Sequence, residues 1–142
     1  MGRNHSAGLD RFVEAQEDVY DGALSEIRSG RKTSHWMWFI FPQFAGLGAS
    51  ETSRFYAIKS IDEAREYLRH PLLGPRLIEC AEAVLSNPGV SARDIFGSPD
   101  DMKLKSCMTL FAYISSGNSV FDQVLDKFYG GERDPRTIAA LS

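Results

Sequence analysis

Between Arg31 and Gly48 the chain gathers the side-chain types that could do chemistry. Arg31, Lys32 and His35 lead into Trp36, Met37, Trp38, Phe39, Ile40 and Phe41, and Pro42, Gln43, Gly46 and Gly48 close the stretch. The cations and the imidazole supply positive charge and N–H donors, the indoles supply flat π faces, and the Gln43 amide carries both a donor and an acceptor. Small-molecule pockets are lined by this mixture. The sign of the charge points to an anion, a phosphate or carboxylate, with an aromatic ring beside it. If the apolar run opens a helix, the free N–H groups of its first turn strengthen that preference. The competing assignment is that Trp36–Phe41 is simply the centre of the core, with Arg31 and Lys32 solvated and His35 bonded to a nearby backbone or carboxylate group. On a helix Trp36 and Trp38 project about 200° apart. At most one of them then faces a ligand, and the other packs inward.

Further cations that could meet a phosphate are Arg76, Lys103 and Lys105, in competition with ion pairs to Asp100 or Asp101. The candidate ligand-binding set is Arg31, Lys32, His35, Trp36, Trp38, Gln43, Arg76 and Lys103. For acid–base catalysis the candidates are His35, Glu63 and Asp101, with Lys32, Arg76 or Lys103 neutralising an anionic substrate. His70, before Pro71, stands where an imidazole bonds a free carbonyl at a helix junction. No metal site is expected, because there are three histidines without H-x-x-x-H spacing, and Cys80 and Cys107 form no C-x-x-C pair. Both cysteines sit in apolar helical patterns and read as buried thiols. No G-x-S-x-G elbow, phosphate-binding loop or dinucleotide fingerprint occurs, so no cofactor is implied.

The elements that must position these residues read as helices. Leu9, Phe12, Val13, Val19, Tyr20, Ala23, Leu24 and Ile27 recur mostly at three and four, which predicts one amphipathic helix ending at Arg28 before Gly30. Thr33 or Ser34 can cap a helix over His35–Phe41 that Pro42 stops; a buried strand is the rival there. Ser50 and Ser60 cap the next two, the second with Glu63 as a capping box. His70-Pro71 breaks the chain, and Pro71 suits the first turn of the helix carrying Leu73, Leu77, Cys80, Ala81, Val84 and Leu85. Ser91–Phe96 makes one or two turns. Ser98-Pro99-Asp100-Asp101 starts a long helix with Leu104, Cys107, Met108, Phe111 and Ile114 on its apolar face, Ser119 caps another, and Asp134-Pro135 begins the last. No strand alternation appears. The fold expected is all-α: a single compact domain of seven or eight helices over residues 9–142, preceded by a mobile tail at 1–8.

The totals agree with one soluble domain. A chain of 142 residues buries roughly two-thirds of its unfolded surface, and 43% hydrophobic with 11% aromatic residues argues against disorder. The net charge of −3 offers no general field for a phosphate backbone, so nucleic acid is not an expected partner. No apolar run approaches the ~18–20 residues that span a bilayer, and no basic start with an apolar stretch opens the chain. These features read as a cytoplasmic protein without membrane association.

The order of short segments also resembles a known family. Phe12, Ala15, Gln16, Tyr20 and Ala23–Ile27 come first, then Lys32–Gln43 with Gly46 and Gly48. Glu63, Ala64, Tyr67, Leu68, His70–Gly74, Arg76, Leu77 and Ile95–Gly97 follow, then Asp101, Lys103, Leu104, Ser106, Thr109–Phe111, Asp134 and Thr137. Over roughly residues 9–141 these resemble the bacterial and fungal family catalogued as domain of unknown function 1810, some members of which carry a calpastatin label. The resemblance implies an all-helical, single-domain, intracellular protein and no particular reaction. Calpain inhibition does not follow, since true calpastatins act through long disordered repeats. A looser likeness in order alone, His and aromatics, then Glu-Ala, then Lys-Leu, links the chain to helical proteins that cleave N-glycosidic bonds in ADP-ribose-type compounds. The function expected first is binding of a small anionic or nucleotide-like ligand around residues 31–48. A non-catalytic protein-interaction module and the N-glycosidic hydrolase are the alternatives.

Overall fold

The computed structural model describes residues 4–48 and 50–142, the side chains of residues 4–7 excepted. Ten helices follow in order: α1 (Asn4–Gln16), α2 (Tyr20–Arg28), α3 (Met37–Ile40), α4 (Glu51–Phe55), α5 (Ile61–Arg69), α6 (Leu73–Leu85), α7 (Ala92–Phe96), α8 (Asp100–Ile114), α9 (Val120–Tyr129) and α10 (Pro135–Leu141). No strand is present among the described residues, and the fold is all-α in one domain. α1 begins inside the segment 1–8 expected as a tail, whose first three residues lie outside those described.

The helix expected from Leu9 to Arg28 is two helices, parted by a turn in which the Val19 N–H bonds the Gln16 carbonyl at 3.1 Å. The three-and-four spacing runs straight through the break, so periodicity could not reveal it. Packing requires it: α1 lies against α3 and α5, whereas α2 lies against α6. A second difference is α3, a single turn rather than a helix over His35–Phe41. Trp36 occupies its N-cap position without a side-chain cap, and neither Thr33 nor Ser34 caps it; their N–H groups and the Ser34 hydroxyl bond the Glu26 carboxylate.

Elsewhere local chemistry decides the ends. Ser50, Ser60, Ser91, Ser119 and Asp134 each accept a backbone N–H from the first turn of α4, α5, α7, α9 and α10. Ser91–Asp94 and Ser119–Asp122 are reciprocal boxes. Ser60 with Glu63 is not, since the Glu63 carboxylate accepts the Lys59 N–H instead. Ser98 does not cap α8; Pro99 holds that position. Among the described residues His70 bonds no carbonyl through its ring: Nδ1 accepts the N–H groups of Leu72 and Leu73 at 3.1 and 3.2 Å and so serves the start of α6. A Cβ at Gly74 would stand 2.1 Å from the Leu68 carbonyl oxygen, so α6 can approach α5 this closely only at a residue without a side chain.

α8 is the axis of the domain, packed by α5, α7, α9 and α10. Leu104, Cys107, Met108, Leu110 and Phe111 are fully buried. The sequence suggests one apolar stripe, but Lys105, Ser106 and Thr109 are buried as well, because the segment Glu132–Thr137 folds over their side. Cys80 and Cys107 are free, buried thiols; burial pushes the Cys80 thiol up to about 12 and that of Cys107 well above its ordinary value. No helix among the described residues is long and apolar enough to cross a membrane.

Candidate functional site

The loop before α3 is held by one carboxylate. Glu26, on α2, accepts the Thr33 and Ser34 N–H groups at 2.8 and 3.0 Å, the Ser34 hydroxyl at 2.6 Å and the Trp36 indole N–H at 2.9 Å. Burial works against its charge, but these four donors outweigh that and hold the carboxyl down at about 2. Trp36, 1% exposed, is thereby locked into an aromatic cluster with Phe41 and Phe96. The Lys32 N–H bonds the Ile95 carbonyl, which fixes where that lysine starts.

Past Trp36 the segment turns outward, and half-buried Trp38 forms a wall shared by three adjoining hollows. The first, about 250 Å³, has Lys32, His35, Trp36, Thr52, Asp100 and Lys103 on its other sides. The second, about 360 Å³, includes Gln43, Met102, Lys103, Ser106, Asp134 and Arg136. The third, about 190 Å³, lies toward Gln43, Ser53, Arg54 and Tyr56. The loop 43–48 is fixed from two directions. Ile58 donates its N–H to the Gln43 carbonyl and accepts that of Ala45, both at 2.8 Å; the Arg136 guanidinium donates to the Leu47 carbonyl at 3.1 Å.

Charge at the cleft is organised by Asp100, whose two oxygens pair with Lys32 at 2.9 Å and Lys103 at 3.1 Å. Partial burial opposes ionisation of Asp100, yet the two ammonium groups hold its carboxyl below the usual carboxylate range. Each lysine also lies over an indole, Lys103 at 4.0 Å from the Trp38 ring and Lys32 at 5.1 Å from that of Trp36. Two cations against one anion leave the cluster a unit positive. Arg136, on α10, adds a second cation to the larger hollow.

Of the residues singled out from sequence, Lys32, His35, Trp36, Trp38, Gln43 and Lys103 come together around this cleft. His35 is exposed at its rim, and the Gln43 side-chain amide makes no hydrogen bond among the described residues. Arg31 is exposed and lines none of the three hollows. Arg76 sits behind the segment, 4.4 Å over the Tyr20 ring and bonded to Gln16, which itself donates to the Phe39 carbonyl. Lys105 is turned away, paired with Glu132.

The three acid–base candidates are not brought together. Glu63 pairs with Arg11 at 3.2 Å at the start of α5, bordering an open hollow of about 500 Å³ that is lined by charges of both signs and no aromatic face. That hollow is the larger, but it offers no stacking surface and its best carboxylate is already neutralised. Asp101 points a buried Oδ1 away from any partner among the described residues and lines none of the hollows at Trp38. Among the described residues no group of three or more His, Cys, Asp or Glu is placed to hold a metal ion. Residues that sequence reasoning missed are Glu26, which reads as one more solvated acid on α2, and Ser106, Asp134 and Arg136, which lie far along the chain. Glu26, Ser106 and Asp134 stand among the segments that carry the family resemblance, but with no role attached, and Asp134-Pro135 announces only a helix start.

A single all-helical domain with a tryptophan-centred polar cleft is the class that this architecture defines. The chain belongs to the DUF1810 family, proteins of unknown function, whose profile matches residues 6–141. The likeness carried by His35–Gln43 is therefore a family relationship. The fold is similar to the crystal structure of the conserved hypothetical protein Rv1873 from Mycobacterium tuberculosis, with 53% identity, a TM-score of 0.92, and coverage of 94% of this chain and 95% of that one. No curated protein matches the chain.

Proposed function

We propose that the cleft around Trp38 binds a small anionic, nucleotide-like ligand. The observation that carries this reading is that three hollows share the Trp38 side chain as a wall beside a net-positive cluster: Lys32, Asp100 and Lys103 on one side, Arg136 on another. A flat π surface beside fixed cations suits a base or sugar joined to a phosphate. The division between the tryptophans supports the same reading, since Trp36 is packed away and Trp38 is left at the opening.

A thermal-shift screen of nucleotides, ADP-ribose derivatives and sugar phosphates tests it, because a ligand that binds only the folded chain raises its stability. At a hundredfold excess over Kd the expected rise is about 5–10 °C, and Trp38→Ala abolishes it. A flat screen would leave the protein-interaction module as the better account.

A further inference from the structure

Asp134 is more than nine-tenths buried, at 7% exposed, yet it lines the largest of the three hollows at Trp38. Its Oδ2 is saturated: it accepts the Ser106 hydroxyl at 3.0 Å, the Thr137 N–H at 3.1 Å and the Thr137 hydroxyl at 2.5 Å. The backbone is pinned too, since the Asp134 N–H donates to the Thr109 hydroxyl at 3.0 Å, and that hydroxyl donates to the Lys105 carbonyl. Oδ1 takes no hydrogen bond among the described residues. Three bonds thus orient the carboxylate and leave its other oxygen without a partner among the described residues, in a side chain that lines a cavity together with Ser106, the Lys103 and Arg136 cations and the Gln43 amide.

On the reading that this cleft takes an anionic ligand, we infer that Asp134 makes it selective for a hydroxyl-rich one, a phosphorylated sugar, with Oδ1 accepting a sugar hydroxyl while Lys103 or Arg136 meets the phosphate. A carboxylate oxygen only accepts, so it repels a bare phosphate and rewards a ligand that presents O–H groups some distance from its charge. The capping task of Asp134 needs one oxygen alone. What the second oxygen adds is recognition, and the buried Ser106 hydroxyl holds it in a fixed direction at no entropic cost when a ligand arrives.

The test compares ribose 5-phosphate with n-butyl phosphate, similar in charge but without hydroxyls, by titration calorimetry. The wild-type chain should bind ribose 5-phosphate roughly ten- to hundredfold more tightly, the range for hydrogen bonds to a charged group. In Asp134→Asn the amide oxygen can keep the cap and the Ser106 and Thr137 bonds, while an NH₂ replaces the free oxygen. There the preference should collapse to within about threefold, because n-butyl phosphate is no longer repelled and binds more tightly while the charge-assisted bond to the sugar hydroxyl is lost. Equal binding of the two ligands to wild type, a measurement that needs no variant to fold, overturns the inference and leaves the anion site standing. A preference that survives in Asp134→Asn overturns it as well. If neither ligand binds wild type, the cleft reading and the inference fall together.

Discussion

Trp36 and Trp38 are two residues apart, and their surroundings differ in kind. Trp36, 1% exposed where it borders the hollow with Lys32 and His35, is enclosed by Phe41, Phe96 and the Glu26 carboxylate. Trp38 is half-buried, with Lys103 over its ring and space on its other sides. The two carboxylates beside them differ in the same way. Glu26 is satisfied by four internal donors, whereas Asp100 shares two lysines at the edge of a cavity. A closed set of partners holds a loop in place; an open one leaves charge and surface for something else. Sequence adjacency therefore says little about shared purpose in this segment, and substitution at the two sites should separate stability from binding.

The largest effect belongs to the closed side. Trp36→Ala removes a buried ring from the cluster with Phe41 and Phe96 and one of the donors to Glu26, at a cost of about 3–5 kcal/mol. By urea denaturation this variant should be far less stable than Trp38→Ala, and equal losses at the two positions would erase the distinction drawn between them.

Glu26→Gln sharpens the same side and carries a pH signature. Its carboxyl is held at about 2 in the folded chain against an ordinary 4.5. The folded value is depressed, so its contribution is present above about 4.5 and is lost as pH falls from there through about 2. Because the group is partly open to water, we expect about 1–2 kcal/mol at pH 7 rather than the full value of the shift. The stability gap between wild type and Glu26→Gln should narrow steadily from pH 5 to pH 2.5. A gap that is constant across this range would assign the loss to shape rather than charge.

What the sequence discloses here are the features governed by neighbours along the chain. The caps at Ser50, Ser60, Ser119 and Asp134 and the buried face of α6 follow from local hydrogen bonding and three-and-four spacing, and they are found where those rules put them. The break between α1 and α2 is invisible because both halves keep the same phase, and only their different packing partners separate them. The single turn of α3 is equally obscure: its apolar run suits a longer helix, but Glu26, ten residues before Trp36, gathers the loop 33–36 by contacts that local spacing does not show. In the cleft, the contribution of residues 31–48 is legible from composition. Asp100, Ser106, Asp134 and Arg136 arrive from the start and side of α8 and from α10, so their presence is a product of tertiary folding. Asp134 shows the limit most clearly, since a helix-capping residue and a ligand-facing carboxylate have the same spelling.

On the open side, Trp38→Ala should lower stability by only about 1–2 kcal/mol, because its ring borders open hollows and is not enclosed by the core. Its effect on binding is the larger one, and a ligand-induced thermal shift that persists in this variant would place the anion elsewhere.

The smallest change in stability is expected at Lys103, which has two tasks that one substitution can separate. Lys103→Met keeps an unbranched stem over the Trp38 indole and a polarizable sulfur near its ring, but removes the charge. Asp100 then keeps Lys32 alone, so its carboxyl, now held low by both ammonium groups, should titrate higher in a carbon-detected NMR titration. Stability at neutral pH should fall by less than about 1 kcal/mol, the range for a partly exposed ion pair. The thermal shift produced by a phosphate-bearing ligand, in contrast, should shrink by at least half, since the cleft loses a cation that the indole had fixed in direction. Should Asp100 titrate higher while the ligand response stays whole, Lys103 would belong to the closed side with Glu26 and Trp36, and the phosphate would have to be met by Lys32 or Arg136.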